Sequence, residues 1–293
     1  MSVGYRIEHE TRYVYDSPVS TSQHVAYLRP RALAHQRVHR DELEVDPEPL
    51  ESSRRVDYFG NAVDQFTLLK PHTELFVRAR SVVQISASGR AIAPASSPPW
   101  EKVRDALRYV RGAGPQEDSQ FAYSSPYVAI DPVLADFARP SFTPDRPLLA
   151  AALDLMHRIH AEFRYVPAAT TIMTPVSRVL TERQGVCQDF AHLQISCLRS
   201  LGLAARYVSG YLLTDPPPGR PRLVGADASH AWLSVHCPAH GWVDLDPTND
   251  VVPELRHITL AWGRDYGDVS PLRGVILGGG EHTLHVGVSV RED

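Results

Sequence analysis

From Tyr5 onward apolar and polar residues alternate with a period of two, placing Tyr5, Ile7, His9, Thr11, Tyr13 and Tyr15 on one face, as in a strand covered on one side. The same pattern predicts strands over His24–Leu28, Arg37–Val45, Arg54–Tyr58, Asp64–Leu69 and Leu75–Ile85, with Phe59-Gly60-Asn61 turning the chain between two of them. A meander of antiparallel strands is expected up to about residue 90. Ser86–Pro99 is rich in Ser, Ala, Gly and Pro, as connectors are, and beyond it the apolar period lengthens. Trp100–Arg111 and Pro132–Phe137 predict short helices, and Pro147–Phe163 carries apolar residues at 148, 149, 152, 155, 156 and 159, a single helical stripe. Thr174-Pro175 opens a helix over Val176–Arg183 that Gly185 stops. Another follows at once, with Phe190, Ala191, Ile195, Leu198 and Leu201 as its covered stripe and Gly202 at its end. Strands return over Ala205–Leu213, His230–Val235 and Trp242–Asp246, then more weakly near Arg273–Leu277 and Leu284–Val290, and Pro216–Pro221 reads as a surface loop. The chain therefore divides into a β-rich domain at 1–90, a helical connector at 91–145 and an α+β core at 146–293 that includes the C-terminal strands.

Composition narrows the function. The 293 residues are 43% hydrophobic and 22% charged, which excludes a disordered, collagen-like or coiled-coil chain. With no apolar run of about eighteen residues and no apolar segment after Met1, a cytoplasmic protein without a membrane partner is expected. The net charge is −4, and the basic side chains are dispersed and nearly all Arg, with Lys only at 70 and 102; a nucleic-acid partner is not expected. Three cysteines, Cys187, Cys197 and Cys237, are an odd number without framework spacing, so at least one thiol is free.

Cys187 sits at a helix start, where unpaired backbone N–H groups and the helix dipole stabilise a thiolate. His230 lies on one predicted strand and Asp246 on the next, where their spacing can be tested by register. If the turn is Cys237-Pro238-Ala239, His236 pairs with His240 and His230 faces Asp246 directly, with Cβ atoms roughly 4.5–5.5 Å apart. A five-residue turn beginning at Cys237 makes Asp246 a diagonal neighbour on the same face, whereas a four-residue turn sends it to the other face. In either odd register Asp246 would orient the imidazole, and His230 would deprotonate Cys187 and later protonate a leaving amine. Asp244, one step along the same face, is the rival for the third position.

Gly185-Val-Cys-Gln-Asp-Phe-Ala-His192, Ala205-Arg-Tyr-Val-Ser-Gly-Tyr211, Asp227-Ala-Ser-His-Ala-Trp232 and Gly241-Trp-Val-Asp-Leu-Asp-Pro-Thr-Asn249 resemble, in that order, the core of the bacterial transglutaminase-like proteins. The β-rich segment before them resembles the N-terminal region that accompanies this core. The resemblance implies a papain-like α+β fold with the cysteine helix packed on an antiparallel sheet, and puts the nucleophile on Cys187, the histidine on His230 and the aspartate on Asp246. It implies acyl transfer: Cys187 attacks an amide carbonyl, an amine leaves, and water or a second amine resolves the thioester. The Cys187 N–H would stabilise the oxyanion together with a second donor, for which Tyr165 and Gln188 are candidates. No acidic loop of calcium-binding pattern is present, and Gln188-Asp189 stands where animal transglutaminases have an apolar or aromatic residue, so a preference for glutamine does not carry over.

Arg206 and Asp227 fall inside the motifs as braces, Asp189 suits the helix start through the dipole, and Gly263-Arg-Asp-Tyr-Gly-Asp-Val-Ser-Pro271 either borders the cleft or forms a structural loop with Arg264 paired to an Asp. His157 with His160, Cys237 with His240, and His282 with His285 each fall short of a full zinc set, so no metal and no cofactor is expected. The expected partner is a peptide or protein substrate, cleaved by hydrolysis. The alternatives are amine transfer or cross-linking at the same residues, and a non-catalytic binding module with a vestigial triad.

Overall fold

The computed structural model describes residues 1–87, 93–108, 117–167, 169–214 and 229–293. Five strands come first: β1 (Ser2–Ala26), β2 (Gln36–Asp46), β3 (Glu51–Val56), β4 (Ala62–Leu68) and β5 (His72–Ser86). Then follow α1 (Trp100–Ala106), α2 (Pro132–Ala138), α3 (Leu148–Glu162), β6 (Arg164–Tyr165), α4 (Val176–Glu182), β7 (Gln184–Gly185) and α5 (Cys187–Ser200). The chain ends with β8 (Ala205–Leu212), β9 (Ser229–Cys237), β10 (Gly241–Leu245), β11 (His257–Gly263), α6 (Tyr266–Val269), β12 (Leu272–Gly278) and β13 (His282–Glu292). Among the described residues no helix is long and apolar enough to cross a membrane. Asp227, the 216–221 loop and the end of the helix expected over Trp100–Arg111 lie outside the described residues.

The fold is α+β, with an N-terminal antiparallel sheet and a papain-like core. The N-terminal sheet is not a meander: its order is β2-β5-β1-β4-β3, and only β3 and β4 form a simple hairpin, around Gly60 at φ 76°. One 25-residue strand, β1, replaces the two predicted. It runs through Pro18 because the register against β5 breaks between Val14 and Val19, an irregularity that tolerates a residue without an N–H. Its first half pairs with β5 and β13, its second with β4 and β12. The C-terminal strands, grouped with the core in the sequence reading, therefore belong to the N-terminal sheet. Alternation alone says that a strand has two faces and not which partner it finds.

In the core, the antiparallel sheet β10-β9-β8-β11 packs against α5. Helix α3 buries the expected stripe at 148, 149, 152, 155, 156 and 159. Helix α5 exceeds its expected stripe: every residue from Asp189 to Arg199 is buried, because α2, α3 and α4 cover the side that the sheet leaves open. One hydrophobic cluster runs from Tyr5 and Ile7 of β1 through α3, α5 and β9 to Val290 of β13, joining the two sheets.

Candidate functional site

Cys187 is the first residue of α5, half-buried, after Val186 in extended conformation. Asp189, one turn in, accepts from the Val186 N–H at 2.8 Å and the Thr170 hydroxyl at 2.6 Å, tying the helix start to the neighbouring loop. Burial pushes its carboxyl pKa up, partly offset by those two donors. Gly185 makes this possible, since a Cβ there would lie 2.8 Å from Asp189 Cβ.

His230 on β9 faces Gly210 of β8. Its Nε2 lies 2.7 Å from Asp246 Oδ2, leaving Nδ1 for its second hydrogen-bond partner, Cys187. Burial opposes the imidazolium, but the hydrogen bonds and charges of Asp246 and Cys187 override it and push the pKa up to about 10. The structure thus brings Cys187, His230 and Asp246 together. The register is the diagonal alternative: His236 pairs with Trp242, so pairing extends to Cys237 and Gly241 and leaves residues 238–240 in the turn.

Asp246 is fully buried, with five donors around it among the described residues. Oδ1 accepts from the N–H of Thr248 at 3.0 Å and of Asn249 at 3.3 Å. Oδ2 faces His230, Asn249 Nδ2 at 2.7 Å and His257 Nε2 at 3.0 Å. Against the cost of burial, the hydrogen bonds of His230 and His257, the charge of His230 and the Asn249 amide hold its pKa well below the usual carboxylate range. The rival, Asp244, is engaged elsewhere, accepting from Trp232 Nε1 at 3.0 Å and from the Ser234 hydroxyl.

Two site residues escaped the sequence reading. Asn249 ends the stretch Gly241–Asn249, whose pattern points to Asp246 and gives the amide no role. His257 begins β11, a strand not predicted because its residues are nearly all buried and show no alternation; the apolar run ending at Gly263 was its only signal.

Arg206 is a brace, stacked between Trp242 and Trp262 at 4.4 and 3.7 Å and donating to Ser234 Oγ at 3.3 Å. Arg264 is paired doubly with Asp268, and its loop packs on the cysteine helix through the Tyr266 N–H, which His192 Nε2 accepts at 3.2 Å. Tyr165 is half-exposed, its ring edge-on to Phe190 of the cysteine helix at 6.4 Å, and its phenol pKa is raised by burial and then by the charges of Cys187 and Asp189. Gln188 is half-buried at the same helix start. Cys197 and Cys237 are buried and unbridged.

His157 pairs with Asp250, His160 Nδ1 lies 3.0 Å from the Thr248 carbonyl, and His282 packs on Tyr13 and Tyr15. His230, Asp246 and His257 have ligand atoms within 4.8 Å of one another, and their hydrogen bonds account for that spacing.

Residues 5–84 match the bacterial transglutaminase-like N-terminal region, and residues 135–247, which contain Cys187, His230 and Asp246, match the transglutaminase-like superfamily. An uncharacterized protein of Mycobacterium tuberculosis is 41% identical over 297 residues, covering 98% of this chain and 91% of the relative. The chain belongs to the bacterial transglutaminase-like family. A protein-glutamine gamma-glutamyltransferase of Pseudomonas aeruginosa is 34% identical over 124 residues, which is 41% of this chain and 18% of that protein. The crystal structure of a candidate cysteine protease from Cytophaga hutchinsonii superposes with a TM-score of 0.75 at 20% identity, covering 100% of this chain and 91% of that one, and shares the fold. Membership in the family makes the transglutaminase-like chain one of the cysteine-based acyl-transfer proteins.

Proposed function

We propose that this transglutaminase-like protein is an enzyme that hydrolyses amide bonds of a peptide or protein through a thioester on Cys187, with His230 as base and acid and Asp246 as its anchor. The observation that carries the reading is His230, hydrogen-bonded on one side to a fully buried carboxylate and on the other to a half-exposed cysteine at a helix N-terminus. The imidazolium and the helix dipole favour the thiolate. Attack forms a C–S bond and an oxyanion, for which the Cys187 N–H is one donor, with Tyr165 and Gln188 the candidates for the second. His230 then gives its proton to the nitrogen as the C–N bond breaks, and a water deprotonated by His230 frees the acid and restores the thiol.

Iodoacetamide at mildly acidic pH tests the nucleophile. Cys187 should be alkylated far faster in the wild-type chain than in His230→Ala, with Cys197 and Cys237 protected by burial in both; equal Cys187 rates in the two would return the chain to a binding module. Incubating the protein with peptide substrates and a primary amine then separates the outcomes. Release of free acid supports hydrolysis, and stable amine incorporation supports the transfer reaction that the Pseudomonas relative's name describes.

A further inference from the structure

His257 is a second imidazole on Asp246, and no step of the acyl transfer above uses it. Its Nε2 lies 3.0 Å from Oδ2, the oxygen that also faces His230 and Asn249. An ionised carboxylate only accepts, so the nitrogen that His257 turns towards it carries hydrogen. The ring is buried, stands edge-on to Trp232 at 5.2 Å, and heads a strand beyond the 135–247 stretch matched by the superfamily.

We infer that His257 is a positioning residue that holds the Asp246 carboxylate and takes up part of its charge, setting how strongly Asp246 grips the His230 ring. The inference rests on the acyl-transfer reading. A carboxylate whose charge is shared among several donors binds each more weakly than it would bind one alone. With His257 in place, His230 is held upright yet still releases its proton to the leaving nitrogen. Without that donor the carboxylate turns more of its charge on His230, which keeps its proton more tightly. Among the described residues, the titratable groups gathered here are His230 from β9, Asp246 after β10 and, across His230, Cys187 from α5.

Two variants of the full chain separate this role from mere packing. His257→Gln keeps an N–H donor at a similar reach, and His257→Leu removes it. In His257→Leu the alkaline step of Cys187 alkylation, where His230 loses its proton, should move up by about one pH unit, and kcat for a peptide amide should fall about tenfold with little change in KM. His257→Gln should restore both. An unshifted step in His257→Leu, or the same shift in both variants, would overturn the inference. Nitrogen NMR of the wild-type chain with labelled histidine needs no variant: a hydrogen on His257 Nε2 is expected, and a bare Nε2 overturns the role. Slow labelling of wild-type Cys187 would instead sink the acyl-transfer reading, while the NMR result stands separately.

Discussion

At the residue scale, the protein carries histidines tuned in opposite directions. Burial pushes His9 and His24 down to about 4, with the charge of His72 adding to the effect at His24, and pushes His192 down to about 3, with Arg199 adding to it. His192 is neutral for a visible reason, since its Nε2 accepts the Tyr266 N–H and would lose that bond on protonation. Unfolded histidines titrate near 6.5. Below that pH the unfolded chain binds protons that these three refuse, so stability should fall as pH drops from about 6.5 towards 4. His230, pushed up to about 10, works the other way: its contribution is full below about 6.5 and is lost as pH rises through 10. Urea midpoints across pH should therefore peak near pH 6.5, and His230→Ala should flatten the alkaline side. A midpoint rising steadily to pH 9 would contradict this. These shifts also mark the limit of the sequence. Cys187, His230 and Asp246 were legible because their residue types and spacing fit one chemistry. The protonation states depend on burial and on donors such as His257 and Asn249 that no local pattern announces.

At the element scale, β8 and β9 must approach closely beside the site. Gly210 pairs with His230, and a Cβ at 210 would fall within the contact radii of the Ile258 carbonyl oxygen and the Trp232 ring. The Ile258 oxygen belongs to the backbone of β11 and cannot rotate away, so Gly210→Ala should force β8 from its neighbours and cost about 3 kcal/mol, read from urea unfolding. Because the displaced strand is the one opposite His230, rapid alkylation of Cys187 should be lost even where the variant folds; unchanged stability would show that the strands yield. Helices and strands with one covered side were readable here, as α3 shows residue by residue. The elements covered on both sides were not: β11 was missed, and α5 was read as an amphipathic helix although its polar positions His192, Gln194 and Arg199 are buried. Arg199 illustrates the reason, as its guanidinium meets the carbonyl of Ala205 and those of Tyr123 and Arg264, the last two far along the chain.

At the scale of the whole molecule, the N-terminal sheet completes the core. β11 is the edge strand of the core sheet, and edge strands expose unpaired backbone groups. Here two carboxamides from the N-terminal sheet stand in for a neighbouring strand. Gln36 donates to the Thr259 carbonyl at 2.7 Å and accepts its N–H at 2.9 Å, and Asn61 does the same for Trp262 at 2.9 and 3.0 Å. The Arg31 N–H also reaches the Thr259 carbonyl, so Gln36→Leu orphans chiefly the Thr259 N–H, a loss of about 1–3 kcal/mol. In return β1 supplies the partner of β12 and β13, without which the last strands have no sheet to join. Removing residues 1–92 therefore takes away the cover of β11 and the template of two strands together, and opens the hydrophobic cluster that spans both sheets. The fragment 93–293 should fail to unfold cooperatively and should label Cys187 no faster than Cys197 and Cys237, whereas the full chain should melt in one transition. A fragment with a sharp melt and a fast-labelling Cys187 would mean that the core stands alone and that the first sheet serves the substrate instead.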